Sequence, residues 1–299
     1  MAHVVPTDVP DTGPPAPEQQ RRGLAGYLLL TPGSLWLALF FLVPTVTLVA
    51  TSLYDPAGSL ELGYEMTGHI QNYPDAIADF WPQIQRSLVY ALIATVVCIV
   101  LGYPLAYAIA FKAGRFKTIL LVAVIAPFFT SFLVRTLAWQ YLLGDTEWFV
   151  SFLRWLPFTG ADLQLINTPF AVVAGLSYNF LPFFVLPLYA SLEKMDHRLL
   201  EAASDLYASP ARGFLKVTLP LSMPGVVAGT LLTFIPAAGD YINAELLGSP
   251  NTRMVGNEIQ DLFYAGDYPT ASALSVALMV TIVVMVAVYV WRAGTDELV

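Results

Sequence analysis

Six runs of apolar residues divide the chain, each long enough to cross a bilayer as a helix. A helix needs about 20 mostly apolar residues to traverse a ~30 Å hydrocarbon core. The runs at residues 28–50, 87–111, 118–142, 170–192, 226–247 and 271–291 meet that length. None shows the strict polar–apolar alternation of a transmembrane barrel strand. Pro32, Pro44, Pro104, Pro127, Pro182, Pro187 and Pro236 fall inside the runs. Membrane bundles tolerate such residues because neighbouring helices and local adjustments re-satisfy the freed backbone groups. The pattern predicts an all-α integral membrane protein of six transmembrane helices.

Composition agrees. The 299 residues are 57% hydrophobic and 12% charged, against about 25% charged in soluble domains. The length by itself would suit one or two soluble domains, and the hydrophobicity excludes them. Residues 1–23, rich in Pro, Gln, Asp and Gly, read as a disordered tail. The run that follows is too long for a signal-peptide core and has no small-residue cleavage site after it, so the first span is expected to remain. The membrane-spanning body is expected over 24–292, with a short tail at 293–299. Cys98 is the single cysteine and lies within an apolar run, which removes any disulfide framework or zinc spacing. It reads as a small core hydrophobe. His3, His69 and His197 have no metal-ligand spacing.

Basic residues orient the spans. With the N-terminus inside, the cytoplasmic segments collect Arg21, Arg22, Lys112, Arg115, Lys117, Lys194, Arg198, Arg212, Lys216 and Arg292. Only Arg86, Arg135, Arg154 and Arg253 fall elsewhere, and ten against four is a clear positive-inside bias. Both termini are expected in the cytoplasm. The opposite face carries Asp55, Glu61, Glu65, Asp75, Asp79, Asp145, Glu147, Asp162, Glu258, Asp261 and Asp267. That set is either a solvated loop surface or a field favouring cationic solutes or a basic partner.

This orientation makes 193–223 the longest internal loop. Within it, "HRLLEAASDLY" places Leu199, Ala203 and Leu206 on one helical face, with Glu201 and Asp205 one turn apart beside it. Ser209-Pro210 breaks that helix, and "ARGFLKVTL" reads as a second amphipathic piece ending at Pro220. A helix–turn–helix of mixed charge, with an apolar face too short to span, suits a protein partner. Helices that lie on lipid are usually richer in Lys and Arg.

The spacing of Glu201, Ala202 and Ala203 from Val217, Leu219 and Pro220 resembles the signature of permease subunits of ATP-binding-cassette importers. "PFFTSFLVRTLAW", "FLPFFVLPLYASLEKMD" and "AAGDYINAELLGSPNTRMVGNEIQ" extend the similarity to the spermidine/putrescine permease branch. The resemblance implies a type I importer permease fold with a cytoplasmic coupling helix between spans 4 and 5. It further implies that the loop docks on a separate ATPase, Glu201 pairing with a basic group there and Ala202 and Ala203 permitting close approach. Asp205, Tyr207, Leu219 and Pro220 complete the coupling candidates. Tyr207 departs from the family's glycine. Either it adopts a positive φ, at about 1 kcal/mol or more, or the turn moves to Ala208-Ser209-Pro210.

The chain has no G-x-x-x-x-G-K-[ST] phosphate loop, so no cofactor is expected in it. ATP and magnesium would be bound by the partner. The implied assembly has two ATPase subunits, a second related permease and an extracytoplasmic binding protein, in a bacterial inner membrane. No nucleic-acid partner is expected. The cargo reading is a polyamine, with an amino-acid-like solute, a sugar or another small solute as the alternative.

The candidates for the substrate path are Asp240, Tyr241, Glu245, Arg135 and Trp139. A helix counted from Gly225 puts Asp240 about 22 Å along it, after an interruption at Pro236 and Gly239. Asp240 either meets a cationic cargo, or pairs with Arg135, or caps a broken helix. Arg135 either snorkels to the interface or serves as a gate or a carboxylate partner within the path, and Trp139 is alternatively an interfacial anchor. A membrane enzyme would need a catalytic constellation at depth, and only Asp240 and Arg135 are candidates for burial there. A stand-alone secondary transporter would often show an internal repeat, which is not visible.

The orientation is testable by labelling intact cells in a Cys98→Ala background. Cysteines at Glu61, Asp162 and Asn257 are expected to react from outside, and those at Ala113, Ser209 and Thr295 are not. Reaction at Ser209 would reverse the topology.

Overall fold

The computed structural model describes residues 24–59, 61–155 and 163–293. The expected N-terminal tail, Asp162 and all but the first residue of the expected C-terminal tail lie outside them. The chain divides into two compact units, Met1–Thr47 and Leu48–Val299. The first holds α1 (Leu24–Leu37), a π turn (Ala38–Leu42) and the start of α2 (Val43–Thr51).

The second unit is an assembly of helices. α3 (Asn72–Asp79) precedes α4 (Trp81–Phe111), followed by α5 (Lys117–Ile125), α6 (Phe132–Leu142) and α7 (Trp148–Trp155). Then come α8 (Pro169–Glu193), α9 (His197–Asp205), α10 (Pro210–Gly213) and α11 (Leu219–Ala238). α12 (Ile242–Leu247), α13 (Val255–Ala265) and α14 (Tyr268–Ala293) complete it. Among the described residues, extended pairing is confined to isolated bridges, Tyr54 with Met66 and Ser59 with Gly63.

Among the described residues, five helical stretches are long and apolar enough to cross a membrane: Leu29–Thr51, Trp81–Phe111, Pro169–Glu193, Pro210–Ala238 and Tyr268–Arg292. The third expected span is not one rod. It is a pair, Gly114–Phe129 and Phe132–Leu142, bent by 96°. The cause is local: a 3-10 turn at Ala126–Phe129 contains Pro127, and Thr130 and Ser131 are extended.

The fifth span also differs from the reading by run length. Helix is continuous over Pro210–Ala238, 29 residues, so the piece after Ser209 is the span's own beginning and Pro220 does not end it. A π turn at Phe214–Thr218 explains this, with Leu219 N–H bonding Phe214 O five residues back. Proline lacks an N–H and crowds the carbonyl four residues earlier, and the wider π turn accommodates both effects. The π turn before Pro44 does the same, Val43 N–H bonding Ala38 O. Pro236 likewise leaves the helix unbroken, and the end comes at Gly239, with Asp240 beyond it. Three short helices, α3, α7 and α13, occupy stretches expected to be outer loops.

The core is a triangle of α4, α8 and α11. One buried cluster joins Tyr90, Ala94, Leu176, Phe180 and Phe234, and a second joins Cys98, Tyr103, Phe184, Leu188 and Leu192. Cys98 is fully buried, as expected of a small hydrophobe. Its thiol donates to Ser177 O at 3.3 Å, and Tyr103 Oη meets Ser222 Oγ at 2.8 Å. Small residues set the helix spacing, as is usual where lipid offers no hydrophobic drive for association. Gly225 and Gly229 form a G-x-x-x-G step on α11 that faces α8. A Cβ on Gly225 would lie 2.9 Å from Leu188 Cα, and one on Gly229 would lie 2.9 Å from Phe184 O.

Backbone cannot retreat as a flexible side chain does, so Gly229→Ala is expected to destabilise the solubilised protein by about 1–3 kcal/mol. Gly213→Ala, with nothing within 4 Å of the added carbon, is expected to be neutral. Melting of the two variants in detergent checks this, and equal melting would show that α8 and α11 are not held by this step.

Candidate functional site

Two groups of residues have the placement of a functional site. The first is the loop carrying α9. Asp196 caps its start, accepting from Arg198 N–H at 3.0 Å. Its end is a Schellman motif: Ala208 N–H bonds Ala203 O at 3.1 Å and Tyr207 N–H bonds Ser204 O at 2.9 Å. The residue at the left-handed position is Tyr207, with φ 57°. The turn has therefore not moved toward Pro210, and a tyrosine occupies a backbone conformation that costs it about 1 kcal/mol.

Little of α9 is covered by the chain. Glu201, Ala202 and Asp205 are exposed, and Ala203 is half-buried. Of the expected apolar face, Leu199 is 46% exposed and Leu206 81%. Leu219 and Pro220 lie apart from α9, at the junction of the π turn with α11. Leu219 is half-buried against the cluster around Tyr103, and its carbonyl accepts from Ser222 Oγ at 3.0 Å. Lys117 reaches Glu193 at 2.6 Å, tying α5 to the end of α8 beside the loop.

The second group is a polar seam where α6 and α8 meet α12. Asp240 Oδ1 accepts from Asn243 N–H at 2.8 Å and from Asn243 Nδ2 at 3.1 Å. Asn179 Nδ2 donates to Asn243 Oδ1 at 3.0 Å and to Thr136 Oγ1 at 3.2 Å. Asp240, Asn243, Asn179 and Thr136 are all buried. The seam joins the second half of the broken span to the helix that follows the end of α11. Its uncharged members were not among the expected residues. Asn179, the one amide in the 170–192 run, was the available signal.

The other candidates fall in separate places. Tyr241 O and Glu245 Oε2 both accept from Asn257 Nδ2 at 3.0 Å, which ties the start of α12 to α13. Asn257 is buried, so an outside label on that segment is better placed at Tyr264, which is 76% exposed. Trp139 is half-buried and faces Tyr178, ring centroids 5.4 Å apart, outside the seam's hydrogen bonds.

Arg135 is 9% exposed, its guanidinium over the rings of Phe128 at 4.9 Å and Phe132 at 5.6 Å. Among the described residues it forms no ion pair with Asp240. The ion pairs among the described residues are Lys117–Glu193, Arg154–Asp145, Arg253–Glu258 and Arg253–Asp261. Of Asp240's three expected roles, capping is therefore visible and the pairing with Arg135 is not. Among the described residues, Arg135 Nε and Nη1 and Asn179 Oδ1 have no hydrogen-bond partner. The seam thus retains acceptor capacity at Asn179, and unused donor capacity lies at Arg135 outside it.

The family described as "Binding-protein-dependent transport system inner membrane component" matches residues 99–293. The chain belongs to this family. It is a multi-pass inner-membrane permease of ATP-binding-cassette importers, and ATP hydrolysis is the work of a separate subunit. The permease is 37% identical over 261 residues to "Spermidine/putrescine transport system permease protein PotB" of Haemophilus influenzae, covering 87% of this chain and 90% of that one. It is 31% identical over 291 residues to "Inner membrane ABC transporter permease protein YdcU" of Escherichia coli K12, covering 92% and 91%. Among solved structures it shares its fold with a chain of a bacterial alginate ABC transporter in complex with alginate pentasaccharide-bound periplasmic protein. The TM-score there is 0.66 at 16% identity, over 88% of this chain and 91% of that one. The expected permease fold is therefore established.

The seam's dependence on Asp240 is testable in the purified permease. Asp240→Asn keeps an acceptor oxygen for Asn243 and is expected to melt close to wild type. Asp240→Leu leaves two buried Asn243 donors without an acceptor and is expected to cost about 1–3 kcal/mol. Equal melting of the two variants would show that Asp240 does not hold α12.

Proposed function

We propose that this permease imports a polyamine of the spermidine/putrescine class. It works as one half of a heterodimer with a second, related permease, driven by two ATPase subunits and supplied by an extracytoplasmic binding protein. Both termini are cytoplasmic, and ATP and magnesium reside on the ATPases. The single observation that carries the cargo reading is the 37% identity to PotB over 87% of the chain.

The chemistry of the seam supports it. A polyamine is a flexible chain of ammonium groups and needs spaced acceptors and aromatic faces. Asp240 is a buried carboxylate beyond the end of α11, where Gly239 stops the helix. Asn179 Oδ1 adds a buried carbonyl oxygen with no hydrogen-bond partner among the described residues. A carboxylate at membrane depth is costly unless hydrated or paired, and by default it marks a solute path. The outer acids give less attraction than their number suggests, since Asp145, Glu258 and Asp261 are already paired with arginines.

Transport is coupled through the α9 loop. Glu201 pairs with a basic group on the ATPase, and Ala202 and Ala203 let the two surfaces approach closely. Asp205 lies one turn from Glu201 on the same exposed helix.

Co-expression with the candidate ATPase, second permease and binding protein tests both readings. ATP-dependent uptake of labelled spermidine is expected, with a severalfold higher apparent KM in Asp240→Asn. Glu201→Lys is expected to insert normally and to abolish ATP-driven uptake, because leaving a docked charge unpaired costs about 3–5 kcal/mol. Uptake of a different solute with no competition by spermidine would refute the cargo. Normal uptake in Glu201→Lys would refute the coupling role.

A further inference from the structure

The Schellman turn that ends α9 carries a side chain that its backbone disfavours. Glycine is the usual residue at this position because it alone enters the left-handed region without a steric cost. Here the position holds Tyr207 at φ 57°. Such outliers persist where the surroundings over-determine them, and they concentrate at functional contacts. Nothing among the described residues rewards this one, since Tyr207 is 96% exposed. The residue before it, Leu206, is also exposed. Two large side chains, one aliphatic and one aromatic, therefore project together from the tip of a short loop.

The strained turn also fixes where they point. Two backbone bonds, Ala208 N–H to Ala203 O and Tyr207 N–H to Ser204 O, hold the turn closed. The Asp196 cap fixes the other end of the helix. The Leu206–Tyr207 pair is thus presented on a preorganised support, and contacts made from such a support lose little conformational entropy on binding. Tyrosine is also among the residue types that dominate interface energetics.

We propose that Leu206 and Tyr207 form an apolar knob that selects the ATPase subunit. The partner surface is an apolar slot beside the site that receives Glu201, with a hydrogen-bond acceptor at its floor for the phenol. The inference rests on the reading of α9 as the coupling helix. It adds that the tyrosine, and not the shared charge, distinguishes this permease's ATPase from those that serve other importers.

The decisive variant is Tyr207→Gly, because strain and contact predict opposite outcomes. If the tyrosine is merely tolerated, glycine relaxes the turn and ATPase binding is unchanged or tighter. If the ring fills a slot, glycine weakens the binding of the purified ATPase to the solubilised permease pair by on the order of tenfold or more. The melting temperature of the permease pair should not fall, which separates lost contact from a damaged loop. Tyr207→Phe is expected to recover most of the affinity, and Leu206→Ala to lose it in part.

Unchanged or tighter binding in Tyr207→Gly overturns the knob. So does unchanged binding accompanied by altered quenching of a Leu206→Cys fluorophore by a lipid-phase quencher, which would make the ring a membrane anchor. Glu201→Lys, measured in parallel, separates the two levels. If it too leaves ATPase binding unchanged, the coupling-helix reading has failed. If it abolishes binding while Tyr207→Gly does not, only the knob has failed.

Discussion

A peptide group without a partner has no water to turn to inside a bilayer, and each one left unsatisfied costs several kcal/mol. This constraint decides where the helices of this permease can be interrupted. Pro104, Pro182, Pro187 and Pro236 all lie within helices that run on without a break. Pro44 and Pro220 are each preceded by a π turn. The backbone becomes extended or leaves the helix at Thr130–Ser131 and after Gly239. The helices that follow these two breaks, α6 and α12, are brought together by side-chain amides and hydroxyls. The polar seam follows from the breaks: Asn243, Asn179 and Thr136 knit together the elements that the interruptions set free.

The close approach of α8 and α11 is the complementary half of the design. Gly225 and Gly229 let the two backbones meet, and Phe184 of α8 fills the space above both Gly229 and Gly102 of α4. One aromatic side chain thus serves as the common wall of the three-helix core. The seam at one end of this core and the α9 loop at the other are attached to the same rigid triangle. A displacement at the loop therefore has a stiff element through which to act.

Much of this was legible in the chain. Run length located four of the spans, and the Glu201–Ala203 part of the signature fell on α9. Run length fails where two apolar helices follow one another without a polar gap. The 118–142 run is apolar on both sides of the bend, so only Pro127 and the Thr130–Ser131 pair hinted at it. It fails equally at the fifth span, whose first turns carry Arg212 and Lys216 and so read as loop. Asp240 was legible because a charge in an apolar run is conspicuous. Its actual partner, Asn243, was not, because a neutral amide barely alters hydropathy. The pairing of Arg253 with Glu258 and Asp261 depends on a short helix that only the fold supplies.

The π turn at Phe214–Thr218 has a consequence for chain length. It winds one more residue into a turn than an α-helix would hold. Each residue of an α-helix advances the azimuth by about 100° and the axis by 1.5 Å. Because the wider turn absorbs the extra residue, losing a single residue here would restore regular winding with α9 held close to its present bearing, and the cost would fall on Pro220, whose ring would again crowd the carbonyl one α-turn back. Losing one from the regular helix beyond the π turn has no such outlet and would swing everything before it by that angle while the membrane core stayed intact. A change of one residue in chain length is therefore tolerated at the π turn itself and nowhere else along this helix, for a reason of geometry independent of what its side chains touch.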